Sequence, residues 1–128
     1  MSKTIINTPL APAPIGPYNQ AVKANGMLFV SGQIPIIPAT GELESGGIKA
    51  ETEQVMQNLK AILTQAGTDF SAIVKTSIFI ADMNDFGAVN EVYGKYFGDD
   101  APARETVAVR TLPKNVNVEI SCIAMRKS

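Results

Sequence analysis

The sequence predicts an α+β fold, a two-layer sandwich in which two helices cover one face of a single mixed sheet. An Asn25-Gly26 pair between two strand-like runs predicts a β-hairpin, because both residues of a type I′ turn need positive φ. Two later segments repeat apolar residues at helical spacing, and the stretches that follow them have the short, β-branched or alternating character of strands. The resulting chain order is ββ-α-β-α-ββ.

The length of 128 residues and the hydrophobic content of 45% predict a single domain that spans residues 1–128. Eleven basic and twelve acidic residues give a net charge of -1, so the chain lacks the basic footprint of a nucleic-acid binder. One cysteine leaves no internal disulfide, and no apolar run approaches the roughly 20 residues of a membrane helix. We therefore expect a cytoplasmic protein with no membrane segment and no nucleic-acid partner.

The lack of histidine and the single cysteine limit the kinds of catalytic and metal site that the chain can form. The chain has no histidine, which excludes Ser-His and Cys-His catalytic pairs and, with a single cysteine, leaves no recognisable metal site. The common glycine-rich nucleotide motifs are also missing. We expect no metal, and any catalysis must use Arg, Glu, Asp, Tyr, Ser, Thr or bound water.

The first quarter of the chain is predicted to be a loop that leads into the hairpin. Residues 3–6 fit a short edge strand, and four prolines then interrupt helices and ladders. The Gly16-Pro17 turn places Tyr18 just before the hairpin strands 19–24 and 27–33. Two roles are open for Tyr18: a ring packed on the core, or a hydroxyl that closes a pocket.

Two amphipathic helices follow. The first is predicted over 48–66. The second is predicted to begin at Asp82 or, preferably, at Asn84, and to stop at Gly98. Asn90 is assigned to a position off the apolar stripe of this helix, where a solvated residue is the ordinary interpretation.

A strand predicted after Pro102 carries the leading candidate residue. Pro102 cannot donate to a ladder and marks the start of the strand, so Arg104 lies where a strand emerges from a loop. Alternation places Arg104, Thr106, Ala108 and Arg110 on one face. An arginine fork matches a planar carboxylate, which makes a small organic acid the first ligand class to consider. The alternative is an ordinary surface arginine.

The last predicted strand, 116–125, carries Glu119 among apolar neighbours. If this strand opposes the Arg104 strand around Pro113-Lys114, Glu119 comes level with Ala108, roughly 13 Å along the strand from Arg104 at about 3.3 Å per residue. Three arrangements then remain open. A small acid lies between Arg104 and Glu119, the two converge across a subunit boundary, or they form a structural ion pair.

The sheet face without helices is predicted to be mixed in character, and exposed mixed faces usually become interfaces. We therefore expect an oligomer. The side chains assigned to this face are Phe79, Ala108, Ile123, Arg104, Thr106, Glu119 and Ser121.

Seven short motifs occur in order along the chain. They are Gly16-Pro17-Tyr18, Val30-Ser31-Gly32-Gln33-Ile34-Pro35, Asn58-Leu59-Lys60, Val74-Lys75-Thr76, Asn84-Asp85-Phe86, Pro102-Ala103-Arg104 and Leu112-Pro113-Lys114. Together they resemble the RidA (YjgF) family of reactive-intermediate deaminases over nearly the whole chain. The resemblance implies a fold like that of the chorismate mutase of bacilli, and a homotrimer with pockets at the subunit interfaces.

The resemblance also implies an activity, that of a 2-iminobutanoate/2-iminopropanoate deaminase. Such an enzyme hydrolyses 2-imino or 2-enamino acids from pyridoxal-phosphate dehydratases to 2-keto acids and ammonia, with no cofactor. Arg104 matches the family's carboxylate-binding arginine, Glu119 its water-handling glutamate and Tyr18 the tyrosine at the pocket wall. Further positions that match the border of the pocket are Ser31, Gly32 and Asn90.

Thr106 departs from the pattern, because many relatives carry cysteine there. It keeps a backbone N–H and a hydroxyl, so the resemblance does not imply a thiol-dependent site, and the retained Arg104 favours the deaminating branch. Relatives have also been described as translation inhibitors, ribonucleases or stress-induced holdases. The near-neutral charge and the lack of histidine argue against ribonuclease chemistry, whereas a non-enzymatic protein that binds a 2-keto acid remains an alternative.

Overall fold

The computed structural model describes residues 2–126 as one six-stranded sheet with two α-helices packed on it. The sheet order is β1-β2-β3-β6-β4-β5; β4 and β5 run parallel, and the other neighbours are antiparallel. The predicted α+β sandwich with a single mixed sheet is confirmed. Its elements are β1 (Thr4–Ile6), β2 (Ala21–Ala24), β3 (Met27–Gln33), α1 (Ile48–Gln65), β4 (Ile73–Ile80), α2 (Phe86–Tyr93), β5 (Ala103–Ala108) and β6 (Val118–Met125).

The predicted hairpin between β2 and β3 is confirmed, and so is its type of turn. Asn25 and Gly26 have φ values of 52° and 76°, the signs that a type I′ turn requires. The short strand β1 pairs with β2 and forms one edge of the sheet, as predicted.

Helix α1 supplies much of the core beneath the sheet. It ends at Gln65, one residue before the predicted end at residue 66, and Gly67 follows at a φ of 81° that favours glycine. Each fully buried aliphatic side chain of such a helix contributes about 1.5–3 kcal/mol of burial free energy. The buried apolar residues of α1 are Val55, Met56, Leu59, Ile62 and Leu63.

The start of the second helical segment differs from the preferred prediction. Asp82 rather than Asn84 is the cap, because its carboxylate accepts a hydrogen bond from the Asn84 backbone N–H at 2.9 Å. One 3-10 turn, Met83–Asp85, leads into α2, and a second, Gly94–Tyr96, follows it. The chain becomes extended one residue before Gly98, the predicted stop.

The predicted pairing of the last two strands is wrong. β4 lies between β5 and β6, and its Phe79 pairs with Val107 on one side and Glu119 on the other. Glu119 is therefore level with Val107 rather than Ala108, two strands away at about 10 Å. The physical reason is that β5 gains a parallel ladder with β4, while the connection from β5 to β6 is long enough to pass over one strand.

This register also corrects the assignment of sheet faces. Arg104 pairs with Thr76, and Thr106 pairs with Ile78, so both lie on the face that the helices cover. Ala108, opposite the buried Ile80, lies on that face as well. Alternation along β5 is as predicted, but the register with β4 decides which set of side chains faces the helices.

The other face of the sheet carries no helix among residues 2–126. It presents large apolar side chains, with Phe29 46% and Val107 41% exposed, next to polar ones. The polar side chains include Glu119, Ser121 and the Lys75–Glu105 ion pair. No helix in this part of the chain is long and apolar enough to cross a membrane.

Candidate active site

Arg104 lies half-buried on the edge strand β5 and is held by helix α2. Its Nη1 donates a hydrogen bond to Asn90 Oδ1 at 2.7 Å. The guanidinium carbon lies 5.0 Å from the ring centroid of Tyr93 and 5.5 Å from that of Phe86, within cation–π range. Among residues 2–126, no carboxylate forms an ion pair with Arg104. The guanidinium is oriented and partly desolvated, yet it lacks a counter-ion.

The three α2 residues that hold Arg104 share one side of the helix. Phe86, Asn90 and Tyr93 follow the i, i+4, i+7 spacing that places residues on a common face. The assignment of Asn90 to a position off the apolar stripe is therefore wrong, because it lies directly between two aromatic members of that stripe. This spacing was a usable sequence signal for Phe86 and Tyr93, neither of which was predicted as a site residue.

Thr106 lies two residues beyond Arg104 on the same face of β5. Its Oγ1 is buried and has no hydrogen-bond partner in the described part of the chain. Leaving a buried hydroxyl unpaired costs about 1–3 kcal/mol. Among residues 2–126, this hydroxyl without a hydrogen bond and a guanidinium without a carboxylate lie on the same face of β5, which therefore carries an incomplete polar site.

Glu119 lies on β6 and points to the uncovered face. Burial raises the pKa of its half-buried carboxyl above the usual range, and it has no hydrogen-bond or ion-pair partner among residues 2–126. The carboxylate lies over Gly32, where an added Cβ would come within 2.8 Å of Glu119 Cδ, so a side chain at this position would displace the Glu119 carboxyl. Asn58 secures the segment beyond Gly32 by donating to the carbonyls of Ile34 and Ile36 at 3.1 and 3.0 Å.

Tyr18 is 46% exposed, which answers the question left open by the sequence: its ring is not a core residue in the single chain. Its hydroxyl accepts a hydrogen bond from the Ile15 N–H at 3.3 Å. The proline-rich loop before it is tied to β2 by Gln20, which accepts from Thr8 N at 2.6 Å and donates to Pro12 O at 2.8 Å. The loop therefore places Tyr18 rigidly, and Gln20 is a positioning residue that the sequence analysis did not identify.

A depression of about 490 Å³ lies on the uncovered face of the sheet. Tyr18 and Ser31 line it together with Ser77 and Ser121, and the Ser31 hydroxyl donates to Asn19 O at 2.6 Å. A smaller cleft next to it is lined by Tyr18 and Gly32.

The candidate residues thus form two groups on opposite faces of one sheet. The arginine group consists of Arg104, Asn90 and Thr106, on the helix-covered side. The glutamate group consists of Glu119, Gly32, Ser31 and Tyr18, on the uncovered side. Because the sheet separates them, the structural ion pair between Arg104 and Glu119 does not form, and one chain cannot bring both groups to a single ligand.

Known proteins share this sequence and fold. The family model described as Endoribonuclease L-PSP matches residues 8–126. A RutC family protein of Pyrococcus horikoshii is 51% identical, over 98% of this chain and 99% of its own length. The human 2-iminobutanoate/2-iminopropanoate deaminase is 44% identical, over 97% of this chain and 90% of its own. The crystal structure of E. coli TdcF with bound serine has a TM-score of 0.91 and 43% identity, covering 97% of this chain and 99% of that one. By its sequence, its strand order and these relatives, the chain belongs to the RidA (YjgF) family.

Proposed function

We propose that the protein hydrolyses 2-imino acids and their enamine tautomers to 2-keto acids and ammonia. The observation that carries this proposal is the Arg104 guanidinium, which is half-buried and held by an amide and two rings, with no carboxylate partner in the part of the chain that the structure describes. Its fork fits a planar carboxylate. The activity named for the human relative and the serine bound to E. coli TdcF support a small, amino-acid-like ligand.

The pocket is proposed to lie between two copies of the chain, with the arginine group from one copy and the glutamate group from the next. The separation of these groups by the sheet supports this arrangement, as do the exposed Phe29 and Val107 on the uncovered face. Three copies related by rotational symmetry then form three equivalent pockets, which is the homotrimer that the family resemblance implies.

The chemistry requires positioning, one water and one proton carrier. Arg104 binds the substrate carboxylate and holds the C=N carbon next to a water on Glu119. Glu119 accepts a proton from the water as the water oxygen bonds to that carbon and the C=N π bond breaks, and it gives this proton to nitrogen, so that a tetrahedral amino alcohol forms. The proton of the new hydroxyl then moves through Glu119 to the nitrogen, the C–N bond breaks, ammonia leaves and the carbonyl of the 2-keto acid forms. A raised pKa suits Glu119 to both transfers.

A coupled assay tests the reaction. A pyridoxal-phosphate dehydratase generates the imine, and the appearance of the 2-keto acid is followed with and without this protein. We expect faster keto-acid formation in its presence and no cleavage of added RNA. Keto-acid binding without any acceleration would make the protein a ligand sensor instead. We also expect the reaction to occur in the cytosol. Cys122, the single cysteine of the sequence, is buried, and its thiol stays reduced in that compartment.

Mixing two inactive variants tests the shared pocket. When Arg104→Lys and Glu119→Gln chains are co-expressed in equal amounts, each mixed trimer has one pocket that combines a native Arg104 with a native Glu119. Random assembly should then restore about one quarter of the native activity, because about three quarters of the trimers are mixed and one pocket in three is intact. Light scattering should show three times the chain mass. Activity no greater than that of the separate variants would place both groups in one chain.

Thr106 distinguishes a water mechanism from one that uses its hydroxyl. Thr106→Val keeps the shape and removes an unpaired buried oxygen, so we expect kcat/KM to fall about tenfold or less. Thr106→Cys should stay active and gain sensitivity to alkylating reagents, since a thiol would line the pocket. Steady-state kinetics on the same imine check both. A thousandfold loss in the valine variant would make the hydroxyl catalytic and require a different mechanism.

A further inference from the structure

We propose that Tyr93 is a positioning residue for the reaction, because its ring sets the direction in which the Arg104 guanidinium points. This inference rests on the proposed function, in which Arg104 binds the substrate carboxylate. Tyr93 does not need to contact the substrate for this role. It acts through Arg104.

The ring of Tyr93 is itself anchored to the sheet at the level of Arg104. Tyr93 is 6% exposed, and its hydroxyl forms a 2.8 Å hydrogen bond with Thr76 Oγ1. Thr76 is 1% exposed and is the β4 residue that pairs directly with Arg104 on β5. Three linked contacts therefore surround the Arg104 side chain. They are the backbone pairing of Thr76 with Arg104, the Thr76–Tyr93 hydrogen bond and the contact of the Tyr93 ring with the guanidinium.

These contacts matter because arginine is a long side chain that can adopt many rotamers. Immobilising a side chain of this kind when a ligand binds weakens the binding, and a receptor that has already ordered it avoids that loss. Asn90 takes one hydrogen of Nη1, while Tyr93 and Phe86 limit rotation of the guanidinium plane. The edge formed by Nε and Nη2 has no partner among residues 2–126 and is left for a carboxylate.

Phe97 offers a matched control. It belongs to the same aromatic cluster, packing on the Tyr93 ring at a centroid distance of 4.7 Å and on Phe70 at 5.7 Å. It forms no cation–π contact with Arg104, unlike Tyr93 and Phe86. Removing the Phe97 ring therefore disturbs aromatic packing in the core without removing a group that contacts the guanidinium.

Kinetics of three variants separate positioning from packing. Tyr93→Leu keeps an apolar side chain but loses the ring face, and we expect KM for the imine to rise about tenfold or more. Tyr93→Phe keeps the ring face but loses the hydrogen bond to Thr76, so we expect a smaller rise in KM, about threefold. Phe97→Leu should lower Tm and leave KM unchanged. A KM that rises as much in Phe97→Leu as in Tyr93→Leu would reduce Tyr93 to a packing residue.

A spectroscopic measurement decides the same point without activity. The chain has three arginines, so a protein labelled with 15N-arginine should show three Nε–H resonances. We expect the Arg104 resonance, assigned through Arg104→Lys, to be displaced by ring currents in the native protein and in Phe97→Leu. It should move toward the other two in Tyr93→Leu. An unmoved resonance overturns the inference, whereas a moved resonance in a protein without deaminase activity rejects only the proposed function.

Discussion

Replacing Arg104 by lysine is expected to lower kcat/KM by at least about a hundredfold while the chain stays folded. Lysine keeps the positive charge but cannot form the two parallel hydrogen bonds that a carboxylate receives from a guanidinium. It also loses the planar contact with Tyr93 and Phe86 and cannot reproduce the bond to Asn90 in the same geometry. The measurement is kcat/KM for the imine in the coupled assay, with circular dichroism to verify the fold.

Arg110→Lys is the matched control for this variant. Arg110 is exposed and lies outside both groups of candidate residues. The same change of side chain there should leave kcat/KM unaltered. Near-normal turnover by Arg104→Lys would show that Arg104 does not bind the substrate carboxylate. The proposed function would then lose its main support.

Replacing Glu119 by glutamine is expected to lower kcat by roughly 10²–10⁴, the range associated with loss of a general acid or base. Glutamine preserves size and hydrogen bonding but cannot carry the proton. In the native protein, the proposed activity should show a kcat/KM that falls as the pH drops through the raised pKa of Glu119, at higher pH than for an ordinary carboxyl. The acidic limb should be lost from the residual activity of the variant. An unchanged kcat would assign Glu119 a structural role.

The same variant is expected to be at least as stable as the native protein at pH 7. A folded-state pKa above the unfolded value stabilises the fold at low pH, and that contribution is lost as the pH rises through the folded pKa. At neutral pH the Glu119 carboxylate, which is desolvated and has no partner among residues 2–126, therefore opposes folding, and glutamine removes this cost. Glu91→Gln is the control with the opposite sign, because a hydrogen bond from Lys49 lowers the pKa of Glu91. Urea unfolding at pH 5 and pH 7 compares the two.

Features that depend on neighbours in sequence were predictable. The Asn25-Gly26 turn, the extent of α1 and the alternation along β4, β5 and β6 follow from turn chemistry and from the periods of helices and strands. The family was also recognisable from motifs alone, because seven short segments in the correct order are far more specific than any one of them.

The sequence by itself therefore determined the order of the main elements, the fold class and the candidates Arg104 and Glu119, but it did not single out the residues that position them. Only the tertiary structure decided that Arg104 and Thr106 lie on the face that the helices cover, while Glu119 lies on the other. Alternation states which residues share a face, but the face turned toward the helices depends on the register with the neighbouring strand. That register is set by the parallel pairing of β5 with β4, a contact between distant parts of the chain that local periodicity does not contain. The same pairing brings Arg104 into contact with Phe86, Asn90 and Tyr93 of α2.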